Sequence, residues 1–320
     1  MSDACNISGN KMSAVLPNYN CAQFLPKAIQ SLLDQKVAFD EIIIIDDGST
    51  DNSIAIVESF MKNHPHVRLI KHEKNQGVNA ATNTGMQHAT GDYILFCAAD
   101  DWFGPNMVAL AKEAARQYPG VGVICGDGVI NRFDLKQSFY RSLPYPPNTF
   151  LSPEQFKAFT LKNYVGFNSA GGMLMHRQAI LDAGIVHAET RWHGDWLLYF
   201  VVALRQGMYY VNDVFINVSM RKASYSEGKQ NKKIQNQVML DTIRIIAQSY
   251  PDLWQDFKQA GLVPHHALRY IPLFLSNSIA RQFITRRLIW KILINNQMIV
   301  RIGRLFPYSV ILKARKLLRA

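Results

Sequence analysis

The most constraining feature of the chain is a run of four consecutive isoleucines, Ile42 to Ile45, that ends in Asp46-Asp47-Gly48. A strand that carries apolar side chains at every position is buried on both faces, as in a parallel sheet that is covered by helices. Parallel strands are joined by crossover connections, which are usually helical. The isoleucine run therefore predicts an α/β fold with a central parallel sheet.

Strand-like and helix-like segments alternate along the first 125 residues, as such crossovers require. The predicted strands cover 12–16, 41–45, 67–70, 93–97 and 121–125, and the predicted helices cover 22–34, 52–63, 77–89 and 105–118. This alternation predicts a Rossmann-like, mostly parallel open sheet with helices on both faces. Residues 127–165 show no such pattern, apart from a short helix near 151–161, and we expect them to be irregular.

Polar residues follow three of the predicted strands. Tyr19 comes after the first strand, Asp46-Asp47 after the second, and Asp100-Asp101 after the fourth. Ligands of open α/β sheets bind beyond the carboxyl ends of the strands, so we expect a ligand site at this edge. Carboxylates at the end of a core strand are costly unless something binds them, and their oxygens suit magnesium or manganese. The alternative for both Asp pairs is a solvated turn or a helix N-cap.

Two common nucleotide-binding patterns are missing from the sequence. No G-x-G-x-x-G motif follows the first predicted strand, and no G-x-x-x-x-G-K-[ST] motif is present. The first absence disfavours a dinucleotide site, and the second disfavours phosphate binding by a P-loop. A metal ion held by acidic residues is then the natural partner for phosphate groups.

Six short motifs occur in a distinctive order and spacing over about residues 12–220. They are Leu16-Pro17-Asn18-Tyr19-Asn20, Ile45-Asp46-Asp47-Gly48-Ser49-Thr50-Asp51, Asn75-Gln76-Gly77, Asn83-Thr84-Gly85, Gly91-Asp92-Tyr93-Ile94 and Ala98-Ala99-Asp100-Asp101-Trp102. Together they resemble the family 2 glycosyltransferases, which have the GT-A fold. The resemblance implies an inverting, metal-dependent enzyme that uses a nucleotide-diphospho-sugar donor, with UDP-sugars favoured.

The resemblance also implies roles for the residues at the predicted edge. Tyr19 would flank the base, Asp47 would contact the base, Asp100 would lie by the ribose, and Asp101 would ligate Mn²⁺ or Mg²⁺. Simple packing is the alternative for Tyr19, helix capping is the alternative for Asp47, and Asp46 is expected to be structural. From the first motif, Pro17 and Asn20 join the donor-binding residues.

Two positions depart from the family pattern. Ala98 stands where the metal loop often has a further Asp, and Thr82 stands where an Arg often precedes the Asn of the Asn-x-Gly motif. Metal affinity is therefore expected to be modest, and one phosphate or structural contact is expected to be absent.

Further donor residues are expected in the second half of the chain. Gly172, in the pair Gly171-Gly172, allows close backbone approach to a ligand, and similar segments of the family lie against the sugar and acceptor. Arg177 would face the phosphates, or would be a surface or helix-start residue. Arg221, followed by Lys222, would lie in a loop over the diphosphate, or would belong to an ordinary solvated basic loop.

The catalytic base is expected in the segment Trp192-His193-Gly194-Asp195-Trp196. Aromatic faces pack on sugar rings, and partial desolvation would raise the pKa of Asp195 toward that of a usable base. By resemblance Asp195 is the general base; His193 is a less favoured base, and capping of the next helix is the alternative role for Asp195. No Q-x-x-R-W motif follows Asp195, unlike in processive synthases of the family, which favours addition of a single sugar.

Basic residues are concentrated in the last fifth of the chain. Of 35 Lys and Arg residues, twelve lie between Lys258 and Ala320, where there is no Asp or Glu; the other 23 are balanced by 24 acidic residues. We therefore predict a GT-A domain at 1–230, with a nucleotide-sugar half at 12–125 and an acceptor half at 126–230. A helical, basic amphipathic region would follow at 231–320 and bind an anionic membrane surface. The alternative is a helical cap on the body.

The cysteines and the lack of long apolar runs suggest a cellular setting, and the family resemblance implies an acceptor. The four cysteines form no C-x-x-C pair and are expected to be reduced thiols. Neither a signal peptide nor a spanning helix is predicted, so we expect a cytoplasmic protein that is peripheral at the cytoplasmic face of the inner membrane. Nucleic acid is not expected as a partner. The expected acceptor is a lipid-linked glycan of bacterial-type surface polysaccharide synthesis. The alternative is a sugar-nucleotide-binding or membrane-associated scaffold that has lost catalysis.

Overall fold

The chain forms two compact units in a computed structural model that describes residues 10–163, 165, 170–184, 186–220, 231–264 and 268–295. The first unit comprises residues 1–153 and 166–225, and the second comprises residues 154–165 and 226–320. The helix α5 (Pro153–Lys162) begins at the boundary between the two units.

The first unit is built on one sheet. Its described strands are β1 (Met12–Asn18), β2 (Glu41–Asp46), β3 (Val67–Lys71), β4 (Tyr93–Phe96), β5 (Trp102–Phe103), β6 (Val123–Arg132), β7 (Gln137–Arg141), β8 (Thr149–Leu151), β9 (Met173–His176) and β10 (Met208–Met220). The described helices of this unit, besides the start of α5, are α1 (Leu25–Leu33), α2 (Ser53–Met61), α3 (Val78–His88), α4 (Met107–Gln117), α6 (Arg177–Ala183) and α7 (Gly194–Gln206).

The strands are arranged in the order β3-β2-β1-β4-β9-β6-β10-β5, with β7 beside β6 and β8 beside β10. Strands β1 to β4 pair in parallel, and so do β6 and β10. Strand β9 is antiparallel to both of its neighbours, β4 and β6. Strands β4 and β6 therefore run in the same direction, and the parallel strands end at one common edge, which we call the carboxyl edge.

The isoleucine run forms β2, and all four of its side chains are fully buried. Ile42 and Ile44 belong to a core cluster that includes Leu32 of α1 and Val108 of α4. On the opposite face, α3 packs closely against β1 and β2: a Cβ atom at Gly85 would lie 2.2 Å from Val15 Cγ1 and 2.8 Å from Ile45 Cδ1. The predicted mostly parallel α/β sheet with helices on both faces is thus confirmed.

The expectation of irregular structure across residues 127–165 is wrong in part. Strand β6 continues to Arg132 and turns back through β7, and β8 adds to the edge of β10. All five residues of β7 are exposed, so this strand lacks the apolar pattern by which a buried strand is recognised.

The second unit is helical where it is described. It contains α5 from residue 154 onward, α8 (Lys232–Ser249), α9 (Trp254–Ala260), α10 (Ile271–Ser276), α11 (Ser278–Arg281) and α12 (Arg286–Asn295). The buried Lys291 of α12 donates from Nζ to the carbonyl oxygens of Thr160 at 3.2 Å and Ala260 at 2.6 Å. No described helix is both long and apolar enough to cross a bilayer. The basic helix predicted near 310–319 lies outside the described residues.

Candidate active site

At the carboxyl edge, Asp46, the last residue of β2, is hydrogen-bonded to the last residue of β1. It is buried, and its carboxylate accepts from Asn18 Nδ2 at 2.8 Å and from the amide of Ser49 at 2.9 Å. The two carboxylate oxygens of Asp46 thus stabilise the end of β1 and the loop after β2. This is the structural role that we expected for Asp46, as opposed to a ligand contact.

Asn20 ties the loop after β1 to the loop after β2. Its Oδ1 accepts from the amides of Thr50 at 2.8 Å and Asp51 at 3.3 Å, and its own amide donates to Ser49 Oγ at 3.0 Å. Asn20 adopts a left-handed conformation with φ of 51°. Tyr19, the preceding residue, is 45% exposed, so its ring is available to a ligand. Pro17 lies half-buried on β1, opposite Ile45.

Asp47 holds the loop that leads into α3. Its carboxylate accepts from the amides of Gln76 at 2.9 Å and Gly77 at 2.8 Å, and Oδ1 lies 2.7 Å from Nδ1 of His72. The other ring nitrogen of His72 lies 3.0 Å from Thr84 Oγ1. His72 was not singled out from the sequence, because a histidine directly after a strand carries no motif of its own. Contact of Asp47 with a base stays a prediction.

Asp100 and Asp101 form a turn after β4. Asp101 is 4% exposed, and its Oδ1 accepts from the amide of Ser219 on β10 at 2.7 Å. Asp100 is half-buried. Burial, with a further contribution from the Asp101 carboxylate, raises the pKa of Cys97 well above its ordinary value. Cys97 is therefore a neutral thiol, and the carboxylates are the ligands that this turn offers to a hard cation.

Gly171 and Gly172 reach the carboxyl edge from the neighbouring strand. They precede β9, whose Leu174 pairs with Leu95 of β4. A Cβ atom at Gly171 would lie 2.7 Å from Ile216 Cδ1 and 2.8 Å from Phe103 Cε1, so the close approach observed here is to protein side chains. Gly172 shares the edge with Asp101, and its contact with a sugar stays a prediction.

Arg177 does not join this group, and the prediction that it faces the phosphates is wrong for this fold. Because β9 is antiparallel to β4, His176 pairs with Tyr93 at the beginning of β4, opposite to the edge that carries Asp101. There Arg177 Nε donates to the carbonyl oxygen of Ala89 at 2.7 Å, and the residue begins α6. Arg177 therefore has the alternative role considered for it, that of the residue that begins a helix. Arg221 and Lys222 lie outside the described residues.

Asp195 lies in the first turn of α7 and is half-buried. Its Oδ1 accepts from the amide of Trp196 at 2.7 Å. The neighbouring His193 is buried, and its Nε2 accepts from Trp192 Nε1 at 3.0 Å. Both residues thus accept a hydrogen bond from a neighbouring tryptophan, and the choice of Asp195 as the base stays a prediction.

The segment before Asp195 is attached to α3 by two asparagines. Asn79 donates to the carbonyl oxygen of His187 at 2.9 Å, and Asn83 makes two hydrogen bonds with Val186. Arg191 has φ of 47° and ψ of −115°, a conformation that L residues rarely adopt. Asn79 lies two residues after Gly77, which Asp47 holds, so hydrogen bonds and a short stretch of α3 connect the Asp47 loop to the segment that carries Asp195.

The direction of α7 places Asp195 at the same edge. The helix ends at Gln206, directly before β10, whose first residue, Met208, pairs with Val123 at the beginning of β6. The last turn of α7 therefore lies at the edge where the parallel strands begin, and its first turn points toward the carboxyl edge. The topology therefore brings five of the predicted site residues to the carboxyl edge of the sheet: Tyr19, Asp47, Asp101, Gly172 and Asp195.

A family model described as Glycosyl transferase family 2 matches residues 13–184, which is more than half of the chain. The chain belongs to glycosyl transferase family 2. The family predicted by resemblance is thereby confirmed.

Several curated proteins are similar to parts of the chain. It is 45% identical over 100 residues to the uncharacterized glycosyltransferase YibD of Escherichia coli (strain K12), covering 31% of this chain and 29% of that protein. It is 24% identical over 226 residues to the cholesterol galactosyltransferase of Borreliella burgdorferi, covering 68% of this chain and 62% of that protein. The chain thus spans less than two thirds of the length of either relative.

Among solved structures, S. aureus TarS residues 1–349 in complex with UDP-GlcNAc superposes with a TM-score of 0.62. The match is 16% identical in sequence and covers 87% of this chain and 82% of that one. At this level of identity the likeness concerns the fold, and it confirms the predicted GT-A architecture.

Family 2 members commonly use divalent metals, and the residues of the turn after β4 are compatible with one. The described residues contain no group of three or more His, Cys, Asp or Glu placed to hold a metal. Magnesium, however, is often bound through one or two protein carboxylates and completed by substrate phosphates and water. The buried Asp101, with Asp100 beside it, fits such a site.

Proposed function

We propose that the chain is an inverting, metal-dependent glycosyltransferase that transfers a single sugar from a nucleotide-diphospho-sugar, preferably a UDP-sugar, to a hydroxyl acceptor. The observation that carries this proposal is the placement of Asp47, Asp101 and the Asp195 turn of α7 at one edge of the sheet. Family membership supports the reaction class, and the fold shared with TarS, whose structure contains UDP-GlcNAc, supports the donor class.

The donor would lie along the ends of β1, β2 and β4. In this proposal Tyr19 stacks against the base beside Pro17 and Asn20, Asp47 contacts the base, and Asp100 lies by the ribose. The exposed ring of Tyr19 supports the first of these positions, and the place of Asp47 directly after β2 at the carboxyl edge supports the second. Gly172 would border the sugar.

Asp101 would hold Mn²⁺ or Mg²⁺, which would offset the negative charge that develops on the diphosphate as it leaves. The hydrogen bond from the Ser219 amide orients the Asp101 carboxylate. Burial of this carboxylate strengthens its interaction with a cation, since the local dielectric constant is lower than that of water.

Asp195 would remove the proton from the acceptor hydroxyl. The acceptor oxygen then attacks the anomeric carbon on the face opposite the nucleotide, the bond from that carbon to the diphosphate oxygen breaks, and the configuration inverts. The proton remains on Asp195 until solvent takes it. The place of the half-buried Asp195 in the first turn of α7, which points toward the carboxyl edge, supports this role, because a general base must lie within reach of the hydroxyl that it deprotonates.

We further propose a lipid-linked glycan acceptor of bacterial-type surface polysaccharide synthesis, and a location at the cytoplasmic face of the inner membrane. Residues 1–230 would form the catalytic domain, divided into 12–125 and 126–230, and residues 231–320 would bind the anionic membrane surface. The cationic composition after Lys258 supports this division. Arg221 is retained as a candidate contact to the diphosphate.

Release of nucleoside diphosphate from a panel of sugar nucleotides, with Mn²⁺ and with a lipid-linked acceptor extract, tests the proposal. Asp195→Asn and Asp101→Asn should each lower turnover on the order of 100-fold or more. Asp182→Asn is the matched control, since Asp182 is exposed on α6 and accepts a hydrogen bond from Gln178 one turn earlier. Donor binding without turnover in the wild-type chain would instead favour the scaffold alternative that Ala98 and Thr82 suggest.

A further inference from the structure

The hairpin formed by β6 and β7 carries a concentration of exposed apolar side chains. Phe133 is 54% exposed, Leu135 48%, Phe139 49% and Tyr140 60%. Large apolar side chains that are exposed together indicate an interaction surface, whereas scattered ones need no explanation. We call residues 132–141 the β6–β7 hairpin.

The hairpin projects from the carboxyl edge of the sheet. Strand β6 runs in the same direction as β4 and ends at Arg132, so the turn of the hairpin lies on the side that carries Asp101. The ring of Phe133 lies 6.4 Å from the ring of Trp102, measured between centroids. Trp102 directly follows Asp101, so the hairpin borders the candidate active site.

The base of the hairpin is firmly held. Tyr140 donates a hydrogen bond to the fully buried Asp127, which also accepts from Tyr210 at 2.7 Å and from the amide of Leu143 at 2.8 Å. The hydrogen bond to Asp127 raises the pKa of Tyr140 to about 12, so the phenol remains a donor. Ser138 Oγ donates to Asn131 Oδ1 across the strands at 2.8 Å. The exposed side chains thus stand on a fixed support.

The charge on the hairpin is mainly positive. It contains Arg132, Lys136 and Arg141, and its one acidic residue, Asp134, lies 3.3 Å from the guanidinium of Arg132. Lys136 lies at the turn with φ of 50°. Phenylalanine, leucine and tyrosine beside an excess of lysine and arginine are the composition of a segment that enters the interface of an anionic bilayer.

We propose that the β6–β7 hairpin inserts Phe133 and Leu135 into the head-group region of an anionic lipid bilayer and so holds the carboxyl edge against the membrane. Leucine and phenylalanine at a cationic turn match a lipid surface better than a soluble glycan, which is bound through polar contacts as well as aromatic faces. A lipid-linked acceptor would then meet Asp195 at the surface of the bilayer. This last consequence rests on the proposed function, but the membrane contact does not.

Vesicle sedimentation of the full chain, without nucleotide sugar, provides the first test. Vesicles that contain phosphatidylglycerol should bind the wild type more tightly than phosphatidylcholine vesicles do. The double variant Phe133→Ser, Leu135→Ser should weaken binding roughly tenfold or more, because two apolar side chains no longer leave water. Leu181→Ser is the matched control, since Leu181 is exposed on α6, a helix that begins at the edge opposite to the one that carries Asp101.

A second measurement separates the hairpin from any contribution of residues 231–320. Leu135→Trp should show fluorescence quenching by brominated lipids beyond that of the wild type, whereas Leu181→Trp should not. Bound protein with no added quenching at position 135, or a double variant that binds as the wild type does, would overturn the proposal. Protection of position 135 by a soluble oligosaccharide without lipid contact would overturn it in favour of a glycan surface. If the wild-type chain still transfers sugar when one of these outcomes is observed, the membrane contact is wrong and the proposed function is unaffected.

Discussion

Asn83 and Val186 are joined by a pair of hydrogen bonds: Asn83 Nδ2 donates to the Val186 carbonyl at 2.9 Å, and the Val186 amide donates to Asn83 Oδ1 at 2.9 Å. The amide side chain thus imitates a neighbouring strand for one residue of the segment that leads to Asp195. The amide and the carbonyl of Val186 are thus both paired with this one side chain. Asn83 is therefore expected to position the base without touching the substrate.

Asn83→Ala should lower kcat by about 10- to 100-fold, because a small displacement of a catalytic group slows the chemical step. The KM for the donor should change little, since Asp47 and its loop are held by other bonds. Steady-state kinetics with varied donor measures both constants. Gln87→Ala, at an exposed position on the same helix, is the control. A variant whose donor KM rises while kcat is kept would contradict the positioning role.

His72→Phe should weaken binding of the nucleoside diphosphate by roughly 5- to 50-fold, because it removes one of the partners of a buried carboxylate. Asp47 keeps two amide donors in that variant but loses the contact to Nδ1 of His72. His72→Asn, whose side-chain amide can also donate, should restore part of the affinity. Calorimetric titration with UDP measures the effect. Unchanged affinity together with a lower melting temperature would mean that Asp47 only stabilises the loop.

Asp101→Asn should raise the Mn²⁺ concentration needed for half-maximal turnover by on the order of tenfold or more, because a neutral amide is a poorer ligand for a hard cation. Asp100→Asn should have a smaller effect on the metal and a larger one on the donor KM, if Asp100 lies by the ribose. Metal titrations at fixed donor concentration compare the two variants. Equal metal dependence in both would remove the proposed division of roles. Chelation by EDTA should abolish turnover of the wild type.

Lys291 should make the stability of the chain depend on pH in the alkaline range. Burial lowers its pKa from 10.5 to about 8, because the charged ammonium is desolvated. Between about pH 8 and 10.5 the unfolded chain then binds more protons than the folded one, so this residue's contribution to stability rises with pH, by up to about 3 kcal/mol. Below pH 8 the cost of burying the charge is present in full.

Lys291→Met removes this titration, and denaturant unfolding at pH 7.5 and pH 10 measures the difference from the wild type. The wild type should gain stability relative to the variant as the pH rises. The variant also leaves the carbonyl oxygens of Thr160 and Ala260 without this donor, which lowers stability at both pH values and does not alter the slope. Parallel pH profiles would show that Lys291 titrates as an exposed lysine does.

Much of the candidate site could be predicted because apolar runs mark where buried strands end. Ile42 to Ile45 and Tyr93 to Phe96 identify two core strands, and the acids that follow them must reach the same edge once the strands are parallel. The β6–β7 hairpin could not be predicted from apolar runs. All residues of β7 are exposed, so its pairing with β6 leaves no hydrophobic alternation in the sequence.

The sequence by itself determined the α/β architecture, the family and the placement of Asp47 and Asp101 after strands, since these depend on local apolar patterns and motif order. Only the tertiary structure decided at which edge Arg177 lies and which groups form hydrogen bonds with Asp47. Strand β9 enters the sheet antiparallel between β4 and β6, and this reversal carries Arg177 to the edge away from Asp101. His72 and Asn83 acquire their roles in the same way, through hydrogen bonds to residues 25 and 103 positions away. Strand direction and such long-range bonds follow from packing of the whole sheet, which no local pattern specifies.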